Sequence, residues 1–96
     1  MSDAVIQRRT VTVINDQGLH FRPCQLIAMA AQQHSGTVVL MRGATRADAK
    51  SLLELLTLAA ERGTSLELEA TGADANVVVE KVCELFANGF HTPASH

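Results

Sequence analysis

The chain has no tryptophan and no tyrosine, and its only aromatic residues are three phenylalanines. A core built from it must be aliphatic, and the aromatic platforms on which single-stranded RNA bases stack are missing. Lysine and arginine total 8 against 10 aspartates and glutamates, a formal net charge of −2. That balance gives no support for charge-driven binding to nucleic acid or to a membrane. No apolar run approaches the roughly 20 residues of a spanning helix. The start, Met1-Ser2-Asp3-Ala4-Val5, lacks the basic-then-apolar shape of a secretion signal. Cys24 and Cys83 match no zinc spacing and no small disulfide framework, so a reducing cytoplasm is their simplest home. His34, His91 and His96 have no carboxylate–histidine spacing around them and read as solvated surface groups. Neither a metal nor a cofactor is expected, and neither an internal repeat nor a low-complexity run is present.

What the chain does have is aliphatic residues in changing periods. Ninety-six residues, 47% of them apolar, are expected to form one domain over 1–96, with a core at about 8–90 and a mobile tail at 91–96. Thr10-Val11-Thr12-Val13 alternates as a strand, and Asn15-Asp16-Gln17-Gly18 reads as a loop. Pro23 suits the first turn of a helix, which should run to about His34 with Cys24, Ile27 and Ala31 inward, ended by Ser35-Gly36. Thr37 to Arg42 predicts a second strand with Val38 and Leu40 inward, Gly43 a turn, and Thr45 to Asp48 a third strand. Leu52, Leu55, Leu56 and Ala59 fall on one face of a second helix, which Gly63 should stop. Leu66, Leu68 and Ala70 alternate with Glu67 and Glu69 in the clearest half-buried strand. Val78, Val79, Val82, Leu85 and Phe86 then repeat with helical spacing until Gly89.

The order β-α-β-β-α-β-α, with short alternating strands, predicts an α+β fold. Its expected form is an open-faced two-layer sandwich, a sheet covered on one face by three helices.

The most informative stretch is Gly18-Leu19-His20-Phe21-Arg22-Pro23. It places an imidazole and a guanidinium two residues apart where a loop enters a helix. The free N–H groups of a helix's first turn are a ready anion site. An ordinary imidazole titrates at about 6.5, so at neutral pH much of it is an uncharged nucleophile. His20 there suits the carriage of a phosphoryl group, and Arg22 the reception of its oxygens. Gly18 lets the backbone approach closely or take a positive φ. A helix start would favour the dianion once attached, so the site should be open and only moderately tight.

Gly18-Leu19-His20-Phe21-Arg22-Pro23-Cys24 resembles the phosphorylation-site motif of the HPr family, the histidine-containing phosphocarriers of the bacterial phosphotransferase system. Ala49-Lys50-Ser51-Leu52-Leu53-Glu54-Leu55 resembles that family's regulatory serine segment, and the two stand at the family's separation. The resemblance covers about residues 8 to 90, and Leu85-Phe86-Ala87-Asn88-Gly89-Phe90 is similar to the ending of the nitrogen-related branch. It implies an open-faced sandwich of four antiparallel strands and three helices. It also implies a phosphoryl carrier, not an enzyme, acting as a monomer. Enzyme I, charged by phosphoenolpyruvate, would phosphorylate His20 on Nδ1, and an Enzyme IIA domain would receive the group. Carried over by position, Arg22 neighbours the phosphoryl group, and Gly18, Phe21 and Pro23 form its loop and helix start. Ser51 matches the serine that a dedicated kinase (HPr kinase/phosphorylase) modifies in part of the family, where it controls docking to a transcriptional regulator.

Some residues depart from the family's pattern. Phe21 is bulkier than usual and suggests either an apolar contact patch with Met29, Leu52 and Leu53, beside Lys50, or a shield for the imidazole ring; burial in the core is the rival reading for three of these four. Met29 and Gln32 stand where sugar-branch carriers have lysines, and Glu54 where a basic or neutral residue is frequent. Steering toward acidic partners should therefore be weaker, which suits a nitrogen-type or regulatory relay. Cys24 and Cys83 read as packing residues. Ser51 is explained equally by capping its helix, and a docking module governed by Ser51 is the rival to the carrier.

Overall fold

Residues 6–91 are described by a computed structural model; the rest of the expected tail, 92–96, lies outside them, as do residues 1–5. Seven elements follow in the order β1 (Ile6–Thr12), α1 (Phe21–Gln32), β2 (Val38–Arg42), β3 (Thr45–Asp48), α2 (Leu52–Thr57), β4 (Ser65–Thr71) and α3 (Ala75–Ala87). The strands form one antiparallel sheet in the order β1-β4-β2-β3. The expected α+β architecture is the one observed.

Alternation decides the two faces of the sheet. Val11, Leu66, Leu68, Ala70, Val38, Leu40 and Ala47 point under the helices and are buried. Their partners across the ladders, such as Leu40 opposite Leu68 and Ala47, keep one face apolar. The other face carries polar pairs: Arg8 Nε donates to Glu69 Oε2 at 2.7 Å, and Thr10 to Glu67 at 2.9 Å. These lie on the solvent side, where such pairs contribute little.

The helices cover the apolar face with stripes of regular spacing. Cys24, Ile27, Ala28 and Ala31 are the buried positions of α1, together with Pro23; those of α3 are Ala75, Val78, Val79, Val82 and Phe86. One apolar cluster, aliphatic apart from Phe86 and Phe90, joins all three helices to the sheet, and each large side chain buried there contributes about 1.5–3 kcal/mol before entropy is counted.

Strand and helix ends differ from expectation by a residue or several. β1 starts at Ile6 rather than Thr10, and Val13 continues past it by exchanging backbone bonds with the turn at Gly63 and Thr64. α1 stops at Gln32, and β2 begins at Val38.

The larger correction concerns α2, which does not reach Gly63. It has six residues, and Ala59 turns to a φ of +49°. Leu58 and Ala60 are buried in place of the expected Ala59, which is exposed. Two outside partners hold the chain unwound there. The Arg42 guanidinium donates to the carbonyls of Leu58 and Ala59 at 2.9 and 2.8 Å, and the Ala60 carbonyl accepts the Leu19 amide at 2.8 Å. The lost helical bonds are replaced by bonds to β2 and to the loop before α1.

His34 also corrects its expected role. It is 8% exposed, and its Nε2 lies 2.7 Å from the Thr71 carbonyl oxygen. It joins the end of α1 to the end of β4 and is not a solvated surface group. Gly36 makes room for this clasp, since a Cβ there would lie 1.9 Å from the Thr71 oxygen.

Candidate functional site

The loop between β1 and α1 is shaped from beneath. Gly18 has φ +70°, and a Cβ on it would lie 2.5 Å from the Ala60 carbonyl oxygen. Both properties expected of Gly18 are therefore in use. Leu19 is buried, so His20 leaves the surface at a fixed point.

His20 is the N-cap of α1, with extended backbone (φ −93°, ψ −165°) and no capping bond from its side chain. The residue is exposed, and its ring nitrogens make no hydrogen bond to the described residues. A ring nitrogen is thus free to act as a nucleophile.

The amides of the helix start can be followed one by one. The N–H of His20 donates to the Gly18 carbonyl at 3.0 Å, Pro23 has no N–H, and Cys24 closes the first helical ring on the His20 carbonyl at 3.2 Å. That leaves the N–H groups of Phe21 and Arg22 as the open donors of this helix end. The Arg22 side chain is exposed and has no ion-pair or hydrogen-bond partner among the described residues.

His20, Arg22 and Pro23 line one shallow depression with Asn15, Asp16, Gln17, Gly89 and Phe90. Its far wall is the C-terminal end of α3. There the Gly89 and Phe90 amides turn back to the Phe86 and Leu85 carbonyls at 3.1 and 2.8 Å, and the Phe90 ring meets Phe86 edge-on at 4.9 Å. The positive end of one helix dipole thus faces the negative end of another. Asp16 adds a carboxylate at the rim, held by Arg62 at 2.8 Å. Two amides and a guanidinium attract an anion, and these groups oppose it. Such a site can receive a phosphoryl group and release it again.

The remaining expected site residues lie elsewhere. Phe21 and Met29, each 56% exposed, stand two turns apart on the outer side of α1; Leu53 on α2 is 76% exposed, and Leu52 is half-buried. Three of the four are therefore exposed, and of the four only Leu52 packs against the core. Lys50 is half-buried, its carbonyl accepting Gln32 Nε2 at 2.9 Å, which ties α1 to the start of α2. Ser51 caps α2: its Oγ accepts the Glu54 amide at 3.2 Å, while Glu54 Oε1 accepts the Asp48 amide at 2.8 Å.

Cys24 is fully buried one turn into α1, its Sγ 3.7 Å from the Leu19 carbonyl oxygen. Burial pushes its thiol up to about 11, so it is a poor nucleophile despite its place near His20. Burial also raises Cys83, with Arg9 opposing and Glu80 adding to the shift. Among the described residues no three His, Cys, Asp or Glu side chains form a group that could hold a metal ion. No helix of the described residues is long and apolar enough to cross a membrane. Two contributors escaped the sequence reading, Asn15 and the unwound stretch at Ala60, since neither carries a reactive group in a motif.

Comparison with known proteins gives the family and the fold. A family profile described as "PTS HPr component phosphorylation site" matches residues 7–88. The chain is 37% identical over 82 residues to the phosphocarrier protein HPr of Treponema pallidum, covering 85% of this chain and 93% of that one. It is 33% identical over 84 residues to the phosphocarrier protein NPr of Escherichia coli K12, covering 86% and 93%. Among solved structures, the crystal structure of HPr-C-His from Thermoanaerobacter tengcongensis superposes with a TM-score of 0.83 at 25% identity, over 88% of this chain and 94% of that one. The chain belongs to the HPr family, the phosphocarriers of the phosphotransferase system, which carry phosphoryl groups and are not themselves enzymes.

Proposed function

We propose that His20 is the residue this carrier uses, accepting a phosphoryl group from Enzyme I on Nδ1 and handing it to an Enzyme IIA domain in the cytoplasm. One observation carries the reading: an exposed imidazole at the N-cap of α1, at a helix start with two open amides and next to Arg22, neither side chain having a hydrogen-bond partner among the described residues. In the neutral ring Nε2 keeps its proton and the Nδ1 lone pair attacks phosphorus. The N–P bond of the donor phosphohistidine breaks as the Nδ1–P bond forms, and the donor nitrogen recovers its lone pair. No net proton transfer is needed. Arg22 and the amides of Phe21 and Arg22 hold the oxygens through the transfer, while Gly18 and Pro23 set the loop and helix start.

Enzyme I and the acceptor dock on the exposed apolar side chains Phe21, Met29 and Leu53, with Leu52 and Lys50 at the edge. An apolar surface of this kind, with few cations on α1, supports an acceptor of the nitrogen or regulatory branch over a sugar-branch Enzyme IIA. The relay uses one folded domain as a monomer.

Control by a kinase at Ser51 gains no support from its surroundings. The hydroxyl already caps α2 by accepting the Glu54 amide at 3.2 Å, which by itself accounts for a serine there.

The test replaces His20 by alanine. The variant should stay folded and bind Enzyme I, yet accept no phosphoryl group. Undiminished acceptance by the variant would place the carrier residue elsewhere. Transfer from the charged wild-type chain to a nitrogen-branch and a sugar-branch Enzyme IIA then decides the acceptor.

A further inference from the structure

Asn15 does something at this site that its place in a loop does not require. The turn at residues 15–18 is already closed by the backbone, the Gly18 amide donating to the Asn15 carbonyl at 3.2 Å. The side chain adds a second bond, from Nδ2 to the Gly18 carbonyl at 2.7 Å. That same carbonyl accepts the His20 amide at 3.0 Å. One oxygen therefore holds both the Asn15 side chain and the backbone of His20.

The other end of the Asn15 amide shows that this orientation is specific. Oδ1 is buried and has no hydrogen-bond partner among the described residues. Turning the amide over would set Oδ1 against the Gly18 oxygen, acceptor to acceptor, and lose the 2.7 Å bond.

We infer that Asn15 is a positioning residue for phosphoryl transfer at His20, acting through the Gly18 carbonyl. The inference rests on the carrier reading of His20. Asn15 fixes the plane of the Gly18–Leu19 peptide, which aims the His20 amide and with it the direction in which the imidazole leaves the backbone. Reacting groups misplaced by small distances lose rate while partner binding is unaffected.

Asn15→Ala removes both ends of the amide; Asn15→Asp keeps the shape and replaces the donor by an acceptor. Each is assayed for phosphoryl uptake from charged Enzyme I, beside thermal unfolding. The expected result is a kcat reduced by about tenfold or more in both, with KM for Enzyme I unchanged and the loss larger than any change in the folded fraction explains. A kcat within twofold of wild type in the folded variants overturns the inference while leaving the carrier reading intact. A wild-type chain that takes up nothing sinks both together. Should the variants not fold, the wild-type chain still decides. Its Asn15 Nδ2 hydrogens must exchange with solvent far more slowly than a free amide, and free-amide exchange overturns the inference.

Discussion

The Leu19 amide donates to the Ala60 carbonyl at 2.8 Å, tying the residue before the candidate nucleophile to the unwound end of α2. Gly18 lies against the same oxygen. The position of His20 is thus set by a segment 40 residues further along, and a change at either contact should reach the site.

Gly18→Ala should damage both fold and function. The new methyl must displace the Ala60 carbonyl while the backbone holds φ at +70°. A loss of at least about 1–3 kcal/mol is expected from the strained backbone alone. Thermal unfolding and phosphoryl uptake measured on one preparation check this; an unchanged melting temperature contradicts the close packing described.

Arg22→Ala should separate stability from activity. The side chain is exposed and unpaired among the described residues, so unfolding should move by no more than about 0.5 kcal/mol. Phosphoryl uptake should fall by about 10- to 100-fold, in keeping with the loss of a donor to developing charge. Pre-steady-state transfer from Enzyme I measures it.

His34→Ala should do the reverse. Removing a nearly buried ring that bonds the Thr71 oxygen costs about 1–3 kcal/mol and leaves uptake at His20 close to wild type in the folded fraction. Denaturant unfolding beside the transfer assay distinguishes this from a role in the relay.

The Cys24 thiol gives a pH dependence whose sign follows from burial. An exposed thiol in the unfolded chain ionises at its ordinary value of 9.0, whereas the folded one keeps its proton to about 11. The folded state binds that proton more tightly, so the associated stability is complete below pH 9 and is lost as pH rises toward 11. Cys24→Ala should flatten that part of the stability curve. Iodoacetamide at pH 8 should label Cys83 before Cys24, and equal labelling of the two in folded protein contradicts the burial.

Leu53→Lys tests the docking surface. At 76% exposure the side chain adds little to the fold, and unfolding should stay within about 0.5 kcal/mol. The KM for Enzyme I should rise by about tenfold, a typical cost for an interface anchor.

Local chemistry made much of this protein legible before its coordinates. β3 falls at Thr45–Asp48 as expected, because turn and alternation agree there. Gly18 and His20 stand where their motif puts them. The misreadings of α2 and His34 share one cause, a distant partner. The leucine spacing of α2 runs on past Leu58, but Arg42 and Leu19 claim the carbonyls of residues 58–60 and end the helix early. His34 reads as polar and exposed until Thr71, from the far end of β4, supplies its acceptor. Asn15 reads as a loop residue until the Gly18 carbonyl is seen to serve two donors.

The most direct test of the account is to incubate the folded chain with phosphoenolpyruvate and Enzyme I, then map the acid-labile phosphate. The account predicts one phosphoryl group, on Nδ1 of His20. A folded chain that stays unmodified with several such donors, or that carries the group on another residue, contradicts it.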